Sequence, residues 1–168
     1  VIRLNRADKK NAITRAMYQA MTDALKAGDA DDAVRATVFL GSEGCFSAGN
    51  DMNDFIAVAM GGAMGRDVID FLKALAGIDK PVVSGVDGLA IGIGTTIHLH
   101  CDLTIASARS VFRTPFVDLA LVPEAASSLL APRIMGHQQA FALLALGEAF
   151  SAEEQVIREL KTLGKPFA

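Results

Sequence analysis

Short apolar runs rich in β-branched residues alternate along this chain with segments of helical periodicity, and that alternation constrains the fold more than any other feature. The strand-like runs are VRATVFLG, PVVSGV and LTIAS, at residues 34–41, 81–86 and 103–107. Apolar side chains recur at helical spacing over residues 14–28, 68–75, 126–135 and 138–146. Strands that alternate with helices require crossover connections, so this order predicts an α/β fold.

Residues at the expected helix ends support these helices. Thr14 stands at the start of the first segment and is expected to cap it, and Gly28 is expected to end it. Gly136 lies between the last two helical segments and is expected to separate them. MGGAMG, at residues 60–65, breaks every regular pattern and is expected to form a mobile loop.

The composition limits the class of protein and its partners. The 168 residues suit one domain with a real core, and the 51% apolar content argues against disorder. A net charge of -3 with acids and bases interspersed leaves no basic stripe for nucleic acid and no polybasic patch for a membrane surface. No apolar run reaches the roughly 18 residues of a membrane span. We therefore expect small molecules or further copies of the chain as partners, and neither nucleic acid nor membrane.

The two cysteines suggest that the protein resides in a reducing compartment. Cys45 and Cys101 lack CxxC spacing, and the first ten residues, VIRLNRADKK, lack the apolar core of a signal peptide. Both features favour free thiols in a reducing compartment, although a pairing between the two cysteines stays open.

Two strands run into turns that are rich in glycine. The first turn lies in CFSAGNDMNDF, at residues 45–55, and the second in DGLAIGIGTT, at residues 87–96. The first is either an ordinary strand-to-helix turn or a turn that aims a backbone N–H at a ligand, because glycine permits close approach by another group. A dinucleotide-binding fingerprint is not favoured for the second turn, since Ile97 stands where a third glycine is needed and no usable acid follows at the required distance.

Two further motifs are tempting but favour structural roles. HLHCD, at residues 98–102, contains metal-ligand residue types, but in a helix residues two apart point in opposite directions and cannot share an ion. We favour a helix with buried or satisfied histidines, and thus no metal site. Ser47 lacks the GxSxG context of a nucleophilic serine, because Cys45 stands where the first glycine belongs, so it is expected to be a turn residue.

Glu124 is the remaining candidate. In VPEAASS, at residues 122–128, it follows Pro123 at the predicted start of an apolar helix. One interpretation is a first-turn glutamate stabilised by the helix dipole. The other is a poorly solvated carboxylate whose raised pKa suits proton transfer.

Together these motifs resemble the crotonase family, also called the enoyl-CoA hydratase/isomerase family. The resemblance covers about residues 2–154 and is carried by LNRADKKNA, FSAGNDM, KPVVSGVDGLAIGIGTT, CDLTIAS, FRTPF and LGEAFSAEE. It implies the ClpP/crotonase-like fold, a spiral of repeated β-β-α units, usually assembled as trimers or dimers of trimers. It also implies an acyl-coenzyme A thioester as the substrate.

The resemblance assigns roles to individual residues. In this family two backbone N–H groups form an oxyanion hole for the thioester oxygen, and by position these belong to Asn50 and Ile93. Substrate binding falls, in the same way, to a set of neighbouring residues: Ala48, Gly49, Asp51, Met52 and Gly92.

The hydratases of the family use two glutamates, and neither is present here. At their positions the chain has Thr96 and Phe116, so hydration by the paired-acid route is not expected. The chain is more similar to the peroxisomal-type delta3-delta2-enoyl-CoA isomerases, in which a single glutamate in the PE segment shuttles one proton; here that residue is Glu124. Metal and redox cofactors are not implied, because the thioester is itself the electron sink.

The expected function is therefore isomerisation of a 3-enoyl-CoA to the 2-trans-enoyl-CoA in the breakdown of unsaturated fatty acids. One alternative is a hydratase or another acyl-CoA lyase or hydrolase of the same fold that uses a different acid, such as Asp118. A second alternative is a non-catalytic acyl-CoA binding subunit. The expected location is the cytoplasm of a bacterium, or the peroxisome or mitochondrion of a eukaryote.

The resemblance also suggests how the chain is organised. Residues 1–155 are expected to form the core domain, and residues 156–168 a fragment of a C-terminal helical region. Members of the family commonly extend further, so we expect this chain to be part of a longer one.

Overall fold

The computed structural model describes residues 1–59 and 66–152, which form an α/β structure. Its strands are β1 Ile2–Arg3, β2 Thr37–Leu40, β3 Cys45–Ser47, β4 Val82–Val86, β5 Leu89–Ile91, β6 Leu103–Ala106, β7 Val111–Arg113 and β8 Phe150–Ser151. Its α-helices are α1 Arg15–Ala30, α2 Met52–Ala59, α3 Asp67–Ala76, α4 Ile93–Thr96, α5 Ser127–Met135 and α6 His137–Leu144. The predicted loop at 60–65 and the predicted domain boundary at 155 lie outside the described residues.

The strands form two four-stranded sheets. The first sheet has the order β1-β2-β4-β6 and is parallel throughout. The second has the order β3-β5-β7-β8, with only the β7–β8 pair antiparallel. The consecutive pairs β2–β3, β4–β5 and β6–β7 each send one strand to each sheet, which confirms the predicted spiral of β-β-α units.

Helix α1 shows how sequence periodicity produces packing. Thr14 caps it, as predicted, by accepting a hydrogen bond from the Met17 N–H at 3.3 Å. Its buried residues Met21 and Leu25 follow the predicted stripe and join the main core, and the helix packs against α3. The helix ends at Ala30, because Gly28 does not take the left-handed conformation that ends many helices.

A second, smaller core forms around α5 and α6. Gly136, with a φ of +80°, ends one helix and begins the other, as predicted. Its buried apolar residues come from both helices, from β8 and from the segment between β7 and α5, namely Phe116, Ala131, Ala140, Leu143, Leu144 and Phe150. Within residues 1–59 and 66–152, no helix combines the length and the apolar character that crossing a membrane demands.

Candidate active site

The two glycine turns lie side by side because the strands before them are paired. β3 and β5 are parallel neighbours in the second sheet, with Ser47 opposite Ala90. The turns that follow them therefore emerge at the same edge. Gly49 takes a φ of +98°, and a Cβ placed on it would lie 3.1 Å from the carbonyl oxygen of Ile91. Glycine is required there by backbone conformation and by the closeness of the second turn.

The N–H groups of Asn50 and Ile93 are both available to a ligand. The neighbouring backbone is engaged: the Ile13 N–H donates to the Gly49 carbonyl at 2.8 Å, and the Asp51 N–H donates to the Ile13 carbonyl at 2.9 Å. The Asn50 and Ile93 N–H groups themselves donate to no group among residues 1–59 and 66–152. Two free donors in adjacent turns are what an oxyanion hole requires.

The second donor sits at the start of a helix. Gly92, with a φ of +57°, immediately precedes α4, and Ile93 is the first helical residue and is buried. Gly94 lets this helix approach β3, because a Cβ there would lie 2.7 Å from the carbonyl oxygen of Ser47. The helix and the strand before the first turn are thus in direct contact.

Ser47 supports the first turn and is not free to act as a nucleophile. It is fully buried at the end of β3. Its hydroxyl donates to the Asn11 carbonyl at 2.9 Å and accepts from the Gly49 N–H at 3.1 Å. This agrees with the structural role predicted for it.

Glu124 lies in the turn before α5 and faces α4. Its Oε1 accepts a hydrogen bond from the Thr96 hydroxyl at 2.7 Å. The side chain is half-buried, and this burial raises the pKa of the carboxyl, while the hydrogen bond from Thr96 lowers it. A carboxylate in such surroundings takes up a proton more readily than an exposed glutamate does.

The first-turn interpretation of Glu124 is wrong. Helix α5 begins three residues later, at Ser127, and the intervening Ala125 and Ala126 both have a φ of +53°. Because these two residues take the left-handed conformation, the chain changes direction between Glu124 and the helix. The dipole of α5 therefore does not explain a glutamate at this position.

Tyr18 is a site residue that the sequence analysis missed. It comes from α1, is 2% exposed, and its hydroxyl donates to Oδ1 of Asn50 at 2.5 Å. Burial raises the pKa of Tyr18, and the negative charge of Glu124 raises it further. The phenol therefore lies close to both the first turn and the carboxylate. One signal in the sequence could have identified it. Tyr18 is the only tyrosine of the chain and falls on the buried face of α1, where its hydroxyl needs a hydrogen-bond partner.

Asp51 is engaged in holding the loop that follows the first turn. Its carboxylate forms an ion pair with Arg6 at 2.5 Å and accepts from the Asn53 N–H at 3.0 Å, near the start of α2. The hydrogen bond from Arg6 is the main reason that the pKa of Asp51 is lowered. Met52 is 52% exposed and Ala48 is partly buried, and the substrate-binding roles of all three residues stay predictions.

The histidines of HLHCD lie in a single turn of 3-10 helix, Ile97–His100, which confirms the helical interpretation. His100 donates from Nε2 to the Ala125 carbonyl at 2.8 Å. His98 contacts Ser84 through Nδ1 at 2.9 Å, and burial lowers its pKa to about 3.

The expectation that both histidines are satisfied is only partly met. Nε2 of His98 is buried and has no hydrogen-bond partner in the described part of the chain, because its ring packs between Phe46 and Phe112. No group of three or more His, Cys, Asp or Glu side chains in residues 1–59 and 66–152 is arranged to hold a metal ion. Cys45 and Cys101 are both free thiols.

Asp118, the alternative acid, and Phe116, at the second hydratase position, both have surroundings unlike those of Glu124. Asp118 forms an ion pair with Arg113 at 2.6 Å, and its side chain is 54% exposed. Phe116 is buried in the second core. Among the acids discussed, Glu124 is the one in contact with the helix that carries the second free N–H.

The chain is similar to known proteins both in sequence and in structure. A family model described as Enoyl-CoA hydratase/isomerase matches residues 1–158. Enoyl-CoA delta isomerase 2 of Rattus norvegicus is 40% identical over 96% of this chain, which spans 42% of that relative. Enoyl-CoA hydratase AKT3-2 of Alternaria alternata is 34% identical over 95% of this chain, which spans 55% of it. The solved structure of OdaA from Pseudomonas aeruginosa is 46% identical with a TM-score of 0.86, over 94% of this chain and 64% of that one.

Proposed function

Because this chain belongs to the enoyl-CoA hydratase/isomerase family, we propose that it moves the double bond of a 3-enoyl-CoA to the 2-trans position. The observation that carries the proposal is one half-buried carboxylate, Glu124, with a raised pKa, beside a helix that begins with a free N–H group. An isomerisation needs one such group, since the proton removed is also the proton returned. The similarity to Enoyl-CoA delta isomerase 2 supports this reaction over others of the family.

The first step is removal of a proton from C2 of the acyl chain by the Glu124 carboxylate. The electron pair of the broken C–H bond spreads over C2, C3, C4 and the thioester oxygen as a dienolate. The N–H groups of Asn50 and Ile93 are proposed to stabilise the negative charge on that oxygen. One comparable donor is worth on the order of 100- to 1,000-fold in rate.

In the second step protonated Glu124 gives the same proton to C4. The double bond then lies between C2 and C3, conjugated with the thioester carbonyl, and Glu124 is again ionised. The raised pKa makes Glu124 a stronger base for the first step than an exposed glutamate would be. Since the thioester carries the charge, the proposal includes no metal and no redox cofactor.

The proposal extends to substrate binding, assembly and location. Ala48, Gly49, Asp51, Met52 and Gly92 are proposed to shape the acyl-CoA site, and the protein is proposed to form a homotrimer or a dimer of trimers. A protein with this activity would serve the breakdown of unsaturated fatty acids, in the cytoplasm of a bacterium or in the peroxisome or mitochondrion of a eukaryote.

The test is turnover of a 3-enoyl-CoA by the full-length protein and by the E124Q variant, with hydration of a 2-trans-enoyl-CoA measured in parallel. E124Q is expected to lower kcat for isomerisation by about 10²- to 10⁴-fold, because the amide cannot accept the proton. E148Q is the matched control, since Glu148 is exposed and follows α6, outside the two glycine turns and α4, and it is expected to keep full activity.

Other outcomes would overturn the proposal in distinct ways. Dominant formation of a 3-hydroxyacyl-CoA would favour the hydratase alternative, for which the similarity to Enoyl-CoA hydratase AKT3-2 is the supporting observation. Thioester binding without turnover in any assay would favour a non-catalytic acyl-CoA binding subunit. Isomerisation that survives E124Q would show that another group is the base.

A further inference from the structure

Thr96 connects the proposed base to the helix that carries the second N–H donor. Its side chain is fully buried, and its hydroxyl donates to Oε1 of Glu124 at 2.7 Å. The other carboxylate oxygen, Oε2, accepts no hydrogen bond from any residue in the described ranges. One oxygen is therefore held in place while the other is left available.

The position of Thr96 on its helix fixes where that held oxygen lies. Thr96 follows Ile93 by three residues, so the two lie on the same face of α4. Helical side chains tilt toward the N-terminus of their helix, which brings the Thr96 hydroxyl toward the end where the Ile93 N–H donates to none of the described residues. One rigid turn thus determines the placement of both the donor and the carboxylate.

The helix itself has little freedom to move. Its approach to β3 depends on Gly94, where a Cβ would meet the Ser47 backbone at 2.7 Å. The Thr96 N–H donates to the Gly92 carbonyl at 3.0 Å. A β-branched threonine also has few rotamers in a helix. The hydroxyl is thus restricted to few orientations, and in the one observed it contacts Glu124.

We propose that Thr96 is a positioning residue that holds Glu124 by Oε1, so that Oε2 faces C2 and C4 of the bound acyl chain. This rests on the proposed isomerisation. The proton then moves only through Oε2: it leaves C2 for Oε2, Oε1 stays bonded to the Thr96 hydroxyl, and Oε2 returns the proton to C4. With one oxygen tethered, the carboxylate need not reorient between the two transfers.

The test compares T96V with T96S in full-length protein. Valine matches threonine in shape but lacks the donor, and serine keeps the donor. T96V is expected to lower kcat by about ten- to a hundredfold, with KM changed less than about twofold, because misplacing a reacting group costs rate more than binding. T96S is expected to restore most of the rate.

The pH profile separates positioning from a merely structural role. The hydrogen bond favours the ionised carboxylate, so its loss in T96V is expected to move the acidic limb of kcat upward by about one pH unit. T96S is expected to leave that limb where the wild-type protein has it. An unmoved limb in T96V, or equal loss of rate in T96S and T96V, would overturn the proposal.

A second measurement needs neither turnover nor a variant at position 96. In wild-type protein the NMR resonance of the Thr96 methyl group is expected to titrate with the midpoint of the Glu124 carboxyl carbon, and to stop titrating in E124Q. Absence of that coupled titration would also overturn the proposal. Failure of the isomerisation is recognised separately, because the wild-type protein would then turn over no 3-enoyl-CoA at any pH.

Discussion

Two opposing influences act on the ionisation of Glu124. Burial raises its pKa, and the Thr96 hydroxyl lowers it. Burial is the larger influence, so the folded protein holds a carboxyl group that takes up protons more readily than an exposed glutamate. The burial that raises this pKa favours proton uptake in the reaction, but it makes the ionised carboxylate unfavourable for the stability of the fold.

The raised pKa predicts how stability depends on pH. Between the usual glutamate pKa of about 4.3 and the higher value in the folded protein, the folded state binds more protons than the unfolded state. The contribution of Glu124 to the free energy of unfolding therefore falls as pH rises through this window. We expect E124Q to be more stable than the wild-type protein at pH 7, and the advantage to shrink on going to pH 4. Thermal unfolding at several pH values, with E148Q as the control, measures this; an E124Q protein less stable at pH 7 would show that the Thr96 bond outweighs burial.

Tyr18 gives a second prediction at the scale of one side chain. Y18F keeps the buried ring but removes the hydrogen bond to Asn50, so we expect a loss of about 1 kcal/mol in stability and about tenfold in kcat, with KM unchanged. The matched control is T22V, which removes a buried hydroxyl that donates to the Tyr18 carbonyl on the same helix. T22V is expected to lose similar stability but keep its kcat. Equal kcat in Y18F and wild type would show that Asn50 needs no such support.

Among the elements, the two turns and α4 decide the geometry of the site. β3 and β5 are parallel neighbours, so the turns that follow them meet at one edge of the second sheet. A parallel pair requires a crossover, and here each connection passes through the first sheet before returning. Residues more than 40 positions apart, Asn50 and Ile93, are brought to one site in this way.

Alanine at Gly49 is expected to disturb this arrangement. The Cβ would be strained at a φ of +98° and would press on the Ile91 carbonyl at 3.1 Å, displacing the Asn50 N–H. We expect G49A to lower kcat by about 100-fold, the effect of losing one oxyanion donor. Gly44 is the matched control, since it has a φ of +74° but no atom within 4 Å of a built Cβ. G44A is expected to lose about 1–2 kcal/mol of stability and to keep its kcat.

In the molecule as a whole, one main core joins the two sheets and α1. Phe39 of the first sheet, Phe46 of the second and Tyr18 of α1 all belong to it. Packing in this core places the Tyr18 hydroxyl beside Asn50, although the two residues are far apart in the sequence. At the open edge of the first sheet, Leu103 and Ile105 on β6 are 54% and 61% exposed.

Assembly is the prediction that belongs to this scale. From the family resemblance we expect the full-length protein to sediment with three or six times the mass of one subunit. Sedimentation equilibrium over a tenfold or wider range of concentration measures this, because a stable assembly keeps its mass on dilution. A mass of one subunit at all concentrations would contradict the expectation.

Much of the architecture followed from local patterns. Strands β2, β4 and β6 and helices α1, α3, α5 and α6 lie within a few residues of their predicted positions, because they depend on periodicity and on residues such as Thr14 and Gly136 that act on their own neighbours. The short strands β3, β5 and β7 were not predicted, because three residues are too few to show a period. The glycines of the two turns were also found from local patterns. The assignment of the oxyanion-hole donors to the N–H groups of Asn50 and Ile93 came instead from the family resemblance, because residue spacing alone does not show which N–H groups bind a ligand.

The sequence by itself thus determined the α/β class, the order of the longer elements and, through the resemblance, the candidate residues. Only the tertiary structure decided that Thr96 holds Glu124, that Tyr18 holds Asn50, and that Glu124 lies outside α5. The physical reason is that each of these contacts joins residues from different elements, 28 positions apart for Thr96 and Glu124 and 32 for Tyr18 and Asn50. Periodicity and capping act over a few residues, whereas such contacts exist only after the sheets and the core have brought the elements together.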